Sequence, residues 1–304
     1  MNNLSILLSY MKYILYRCKK ISITIAFYST IIFLTGCNNL VLMNPKGSIG
    51  LEERSLILTV LSLMLIIIIP VLILTIIFSI QYRASNTNNT KYDPNWIECR
   101  IIEFTIWFVP IVIIIILSVL TWKSTQSLDP KNTIITYENN EPITIHVIAL
   151  DWKWLFIYPQ YNIAVINELV FPTNVPVHFN ITSNAVMNSF FIPQLGSQIY
   201  AMAGMCTQLN LIANTSGKYK GISSNFSGRG FSGMKFAVTA TKNYEEFDKW
   251  IKTAQLSKNH ILNINTYEKL AKPSEFHPIT YFANIKPNLF YEVINKFIHQ
   301  KYNI

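Results

Sequence analysis

Ser223, Ser227, Phe231 and Met234 stand at the spacing of a metal-binding loop, within and just before "SNFSGRGFSGM" (224–234). With cysteine at 223 and 227 and histidine at 231, such a loop would hold copper through soft sulfur and imidazole donors. The residues present offer hydroxyls, a phenyl ring and one thioether. The stretch is Gly-rich, but it lacks the Gly-Lys-Ser/Thr ending that places a phosphate, so a tight turn is the expectation. His146, His178, His260, His277 and His299 share no ligand spacing. Met202, Met205 and Met234 read as core filler. No Ser/His/Asp triad or pair of carboxylates suggests hydrolytic chemistry.

Two residues elsewhere carry chemistry through their position. Cys37 ends "LTGC", after Lys12, Arg17, Lys19, Lys20 and the apolar stretch "ISITIAFYSTIIFL" (21–34). A basic segment, a short apolar one and small residues at a cleavage point make a secretory signal. The final cysteine resembles the lipobox of bacterial lipoproteins, in which it receives diacylglycerol and becomes the mature N-terminus. The alternative is an uncleaved first helix followed by a chance cysteine. Glu103 is the one charge inside either long apolar run, and an acid within a span is a functional candidate. Its alternative is a snorkelling carboxylate paired with Arg100 three residues earlier.

The elements that position these residues follow from composition. The chain has 304 residues, of which 51% are hydrophobic, too many for an ordinary soluble protein. Runs at 56–80 and 101–121 are long enough to span, the first reaching about 37 Å at ~1.5 Å per residue. Pro70 and Pro110 lie inside them and are tolerated where neighbours satisfy the freed carbonyls. The reading is a signal at 1–36, a turn-rich tether at 37–55, spans at 56–80 and 101–121, and a cytoplasmic loop at 81–100. Basic residues orient this hairpin only weakly; the lipobox places Cys37, and the domain after the second span, outside.

Past residue 122 the pattern turns to strands. "ITIHVIAL" (143–150), "WKWLFIY" (152–158), "VINELVF" (165–171), "VHFNIT" (177–182), "QLNLIA" (208–213), "YKGISSNFS" (219–227) and "MKFAVTAT" (234–241) are short and β-branched or aromatic, with Pro, Asn and Gly between them. That spacing predicts an all-β Greek-key sandwich or barrel over 122–242. Helical periodicity returns in "YEEFDKWIKTAQ" and "PNLFYEVINKFIHQ", predicting a helical appendage over 243–304. From residue 122 on there are 16 Lys/Arg and 11 Asp/Glu, without dense clustering, which argues against nucleic acid. Cys206 is alone in that region, so no disulfide forms within it.

Several stretches resemble subunit II of the haem–copper terminal oxidases, and its ubiquinol-oxidising branch in particular. They are "NPKGSIGLEERSLILTV", "IIEFTIWFVPIVIIIILSVLTWKS", "DWKWLFIYP", "TSNAVMNSFFIPQLGSQIYAMAGM" and "FSGRGFSGMKF". The resemblance runs in order through nearly the whole mature chain. It implies two transmembrane helices and a periplasmic cupredoxin-like domain in the bacterial inner membrane.

The resemblance also implies what the loop has lost. Cytochrome c-oxidising relatives hold a dinuclear copper centre with two cysteines, a glutamate between them, two histidines and a methionine. The corresponding residues here are Ser223, Ser227, Asn225, Asn188, Phe231 and Met234, so only the methionine is kept. A copper-less subunit is the implication, with haems and copper in the partner subunit I, ubiquinol reached through the complex, membrane lipid around the spans and no cytochrome c docking. Trp152 and Trp154, on the electron route in the copper-bearing relatives, are then expected to serve packing and contact with the catalytic subunit. Glu103 matches the family position at the mouth of a proton-uptake path. Two other readings are a subunit that still accepts electrons from cytochrome c, and a free-standing membrane lipoprotein built on a degenerate cupredoxin domain.

Overall fold

The computed structural model describes residues 40–83, 98–134, 141–256 and 261–302. The signal segment and Cys37 lie outside the described residues, as does most of the loop between the two apolar helices. The chain divides into Met1–Asn44, of which a single 3-10 turn at Val41–Met43 is described, and the compact unit Pro45–Ile304.

Two long helices open the larger unit: α1 (Ser48–Gln81) and α2 (Arg100–Ser127). Both are long and apolar enough to cross a membrane. Backbone groups in hydrocarbon must be satisfied internally, which favours a helix even in runs rich in β-branched isoleucine. Side-chain hydroxyls obey the same constraint by bonding back one turn. Thr59 donates to the Ser55 carbonyl at 2.8 Å, Thr75 to Val71 at 2.7 Å and Ser118 to Ile114 at 2.8 Å.

Both helices outrun the sequence expectation. α1 starts at Ser48 rather than 56, so half of the expected tether is helical, and α2 runs on to Ser127. The reason for the early start is tertiary. The Gly50 N–H donates to the Leu195 carbonyl at 3.0 Å, occupying one of the free donors of the first turn. A Cβ at Gly50 would stand 2.8 Å from Pro45 and 3.2 Å from that carbonyl. One turn on, Glu53 accepts from the Ser197 N–H at 2.9 Å and from its hydroxyl at 3.1 Å.

The domain is a sandwich of two sheets. Its strands are β1 (Ile143–Leu150), β2 (Lys153–Tyr158), β3 (Ile163–Ile166), β4 (Glu168–Pro172), β5 (Val177–Ser183) and β6 (Asn188–Ile192). They continue with β7 (Gly196–Ala201), β8 (Thr207–Leu211), β9 (Gly217–Ser223), β10 (Lys235–Thr241), β11 (Ile261–Leu262) and β12 (Thr280–Ile285). One sheet runs β11-β12-β3-β2-β1-β5-β8, the other β4-β10-β9-β6-β7. β1 pairs antiparallel with β2 and parallel with β5; β10 pairs parallel with β4 and antiparallel with β9. This is a cupredoxin-like fold.

Alternation along β1 sends Ile143, Ile145, Val147 and Ala149 into the space between the sheets. There Phe190 stacks on Phe236 at 5.3 Å, and Trp154 meets the two rings at 5.5 and 5.9 Å. The opposite face, with Ile148, Leu150, Leu155 and Ile157, is covered by a second cluster containing Tyr267, Phe282, Phe290 and Ile294.

The expected helical appendage contains strands as well. Helices α3 (Tyr244–Gln255), α4 (Ile264–Ala271) and α5 (Leu289–Tyr302) are interleaved with β11 and β12, and β12 joins the larger sheet beside β3. α3 packs into the main core through Phe247 and Ile251. "VINELVF", expected as one strand, is two. Asn167 takes a left-handed φ of 56° between them, and the chain passes from one sheet to the other there. The pair β6–β7 went unread, and β9 stops at Ser223 rather than 227.

His146 stands on the covered face, its ring 4.4 Å from Phe290 and edge-on to Tyr291 at 5.8 Å, in a cleft that Lys286 also lines. Burial, and then the neighbouring His178, lower its pKa to about 4. An unfolded histidine titrates near 6.5, so the unfolded chain takes up the proton first as pH falls. The stability owed to this group is whole above pH ~6.5 and is lost progressively toward pH ~4. His146→Phe, which keeps the ring contact, is expected to flatten the loss of denaturant midpoint between those pH values. An unchanged slope contradicts the assignment.

Candidate functional site

The six positions of the metal-type loop gather at one end of the sandwich, at the starts and ends of β6, β9 and β10. Asn188 opens β6 and Ser223 closes β9, both buried. The Ser223 hydroxyl donates to Asn188 Oδ1 at 3.2 Å, while Asn188 Nδ2 donates to the Val186 carbonyl at 2.8 Å. Asn225 Nδ2 reaches the Met187 carbonyl at 2.8 Å. The Ser227 hydroxyl lies 3.9 Å from the sulfur of the buried Met234, and the Ser223 N–H donates to the Met234 carbonyl at 3.2 Å. Phe231 turns to Phe226, ring to ring at 5.6 Å.

The fold brings these six positions to one end of the sandwich, and their chemistry decides what they can hold. Two hydroxyls, two carboxamides, a phenyl ring and a thioether include no anionic and no imidazole donor. The amides and the Ser223 hydroxyl are committed to protein partners. A dinuclear copper centre does not fit this set. Among the described residues no three of His, Cys, Asp or Glu converge. His178 Nδ1 is 2.8 Å from Asn210 Oδ1 and His277 Nδ1 is 2.8 Å from the Pro278 carbonyl; His260 and the His299 side chain lie outside the described residues. Of the three methionines expected as core filler only Met234 is in the core; Met202 is half-buried and Met205, in the turn after β7, is exposed.

Trp152 explains why the loop keeps its glycines. It sits at the β1–β2 turn with a φ of 64°, rare for so bulky a residue. Its indole N–H donates to the Ser227 carbonyl at 2.9 Å. A Cβ at Gly230 would overlap the ring, and Gly228, at a φ of 105°, lies alongside it. The loop is thus wrapped around an indole. Trp154 departs from the expectation of partner contact: it is fully buried between the sheets. The alternation of "WKWLFIY" puts it on the inner face, out of reach of any other subunit.

Glu103 lies in the first turn of α2, its N–H bonded to the Cys99 carbonyl at 3.0 Å. Acids are favoured in a first helical turn by the helix dipole. The ion pair with Arg100 that the alternative reading of Glu103 calls for is not formed, and among the described residues Glu103 has no basic partner. A side chain free to reach along the helix need not close on a neighbour at i−3.

The comparisons agree with this geometry. Residues 137–241 match the family described as Cytochrome C oxidase subunit II, periplasmic domain, and residues 257–301 match the COX Aromatic Rich Motif. Fold and loop therefore define an oxidase subunit II. The chain is 52% identical over 263 residues to the cytochrome bo(3) ubiquinol oxidase subunit 2 of Buchnera aphidicola subsp. Schizaphis graminum, covering 86% of this chain and 89% of that one. It is 50% identical over 268 residues to the protein of the same name from Pseudomonas aeruginosa, covering 88% and 79%. To the quinol oxidase subunit 2 of Bacillus cereus it is 37% identical over 259 residues, covering 84% and 87%. The chain belongs to the ubiquinol oxidase subunit 2 family.

The donor set yields a direct expectation. A fragment spanning residues 123–304, loaded with copper and dialysed, is expected to retain none stoichiometrically and to lack the purple and near-infrared bands of a mixed-valence pair. Two retained coppers per fragment contradict the reading. Asn188→His, Phe231→His, Ser223→Cys and Ser227→Cys together restore the donor types at positions the fold already brings together.

Proposed function

We propose that this chain is the copper-less, non-redox subunit II of a proton-pumping ubiquinol:oxygen oxidoreductase. The observation that carries the proposal is the loop: positions of a dinuclear copper centre are filled by neutral side chains, with Ser223 bonded to Asn188 and Asn225 to the Met187 carbonyl. Electrons from a soluble carrier then have no site of arrival here. Ubiquinol, haems and copper meet in the partner subunit I, and this chain supplies a two-helix clamp and an outer cap. The nearly unburied apolar surfaces of α1 and α2 support a setting of lipid and partner helices.

The same reading places the domain in the periplasm and the helices in the inner membrane, with Cys37 acylated as the mature N-terminus. Mass spectrometry of that terminal peptide tests the acylation, and an unmodified peptide starting upstream of Cys37 rules it out. Glu103 is the candidate proton-uptake carboxylate near the cytoplasmic end of α2. Its place in the first turn of a helix, with no basic side chain holding it among the described residues, supports that role.

Affinity purification of the tagged chain in mild detergent is expected to bring down a haem-containing complex; recovery of the chain alone would favour the free-standing lipoprotein. In that complex Glu103→Gln is expected to slow oxygen reduction by about a hundredfold, the lower end of general acid–base contributions. Haem content and assembly should be unchanged, and Glu103→Asp should keep more activity than Glu103→Gln. Wild-type turnover by Glu103→Gln across neutral pH would remove the residue from the proton path.

A further inference from the structure

Lys153 is a buried lysine that makes no ion pair among the described residues, although the charge of Asp151 acts on it from nearby. It opens β2 directly after Trp152 and is 1% exposed. A buried ammonium must find hydrogen-bond acceptors, and isolated ones are rarely tolerated. Its Nζ donates to the Lys272 carbonyl at 2.7 Å and to the Ser274 hydroxyl at 2.5 Å. Both acceptors belong to one segment, "KPSEFHP" (272–278), which joins α4 to β12. That segment has a second anchor on the same side: Asn167 Nδ2 donates to the His277 carbonyl at 2.8 Å, while Asn167 Oδ1 accepts from the Trp154 N–H at 2.9 Å.

The other side of the segment faces the metal-type loop. The Arg229 guanidinium contacts the Glu275 carboxylate at 2.6 Å. Phe276, at a φ of 49°, sets its ring against Gly233, where a Cβ would stand 2.9 Å from the ring. Arg229 is 86% exposed, so this ion pair orients more than it stabilises. The buried ammonium is the stronger hold; the Phe276 ring, itself largely exposed, adds contact with Gly233.

We propose that 272–278 is a clasp that ties the loop 224–234 to the body of the sandwich from outside, where a metal centre would have cross-linked it from within. Lys153 and Asn167 fix the clasp to the sheet; Phe276 and Glu275 fix the loop to the clasp. Lys153 is a positioning residue in this arrangement, since it touches the clasp and not the loop. The proposal does not depend on which donor feeds the complex.

Hydrogen exchange of the intact purified complex, read by mass spectrometry, tests it. Lys153→Met keeps the unbranched apolar stem, one atom shorter, and removes its donors. Amides of 224–234 are expected to exchange about tenfold faster or more, the loss of hydrogen bonds to a charged group setting the scale, while β1 and β10 stay protected. The double variant Glu275→Gln, Phe276→Ala alters exposed side chains only and should loosen the same loop even if Lys153→Met fails to assemble. Faster exchange in 224–234 with either variant supports the clasp. Unchanged exchange there in the assembled variants overturns it, whether or not 272–278 itself loosens.

Discussion

An end of a β-sandwich that is made of loops is held only by what crosses between them. In this chain that crossing is made by hydrogen bonds and rings where a copper-binding relative would use metal. A neutral hydrogen bond contributes only about 0.5–1.5 kcal/mol net, so no single one can replace a metal centre. The loop instead has a packed centre, the Trp152 indole, with Ser227, Gly228 and Gly230 arranged around it. Asn188 and Ser223 join β6 to β9 beneath, and Lys153 holds a further segment against the outside. Removal of the ligands left a geometry that still needs its glycines.

The same economy of polar groups governs the route from the apolar helices to the domain. Within α1 and α2 the hydroxyls of Thr59, Thr75 and Ser118 bond back to the preceding turn, so lipid meets few bare dipoles. Where α1 leaves its apolar stretch, its first turn lies on the β6–β7 hairpin through Gly50, Leu195, Glu53 and Ser197. Helix and sandwich are thereby joined by backbone contact with no flexible tether at 48–55.

Much of this was legible in the residues. The apolar runs are long enough that only spans explain them, and alternation in "ITIHVIAL" and "MKFAVTAT" reads directly as half-buried strands. The substituted ligand positions were legible too, because donor chemistry is a property of residue type. What escaped depends on partners distant in sequence. Ser48–Arg54 is helical because Leu195 receives its first turn, and Pro45 with Gly47 looks locally like a breaker. "NSFFIPQLGSQIYA" hides two strands behind Pro193 and Gly196. β12 is a strand only through its partners β11 and β3, both distant from it in the sequence. Lys153 carried one usable signal: in "WKWLFIY" it shares its face with Leu155 and Ile157, and both are buried under the C-terminal elements.

The central claim is that electrons do not pass through this chain. The most direct measurement is oxygen consumption by the purified complex with two donors in turn, reduced ubiquinol and reduced cytochrome c, at matched driving force and low ionic strength. The account predicts rapid oxygen reduction with ubiquinol and none above background with cytochrome c. Turnover with cytochrome c that is lost when Trp152 is replaced would show an electron route through this domain and contradict it.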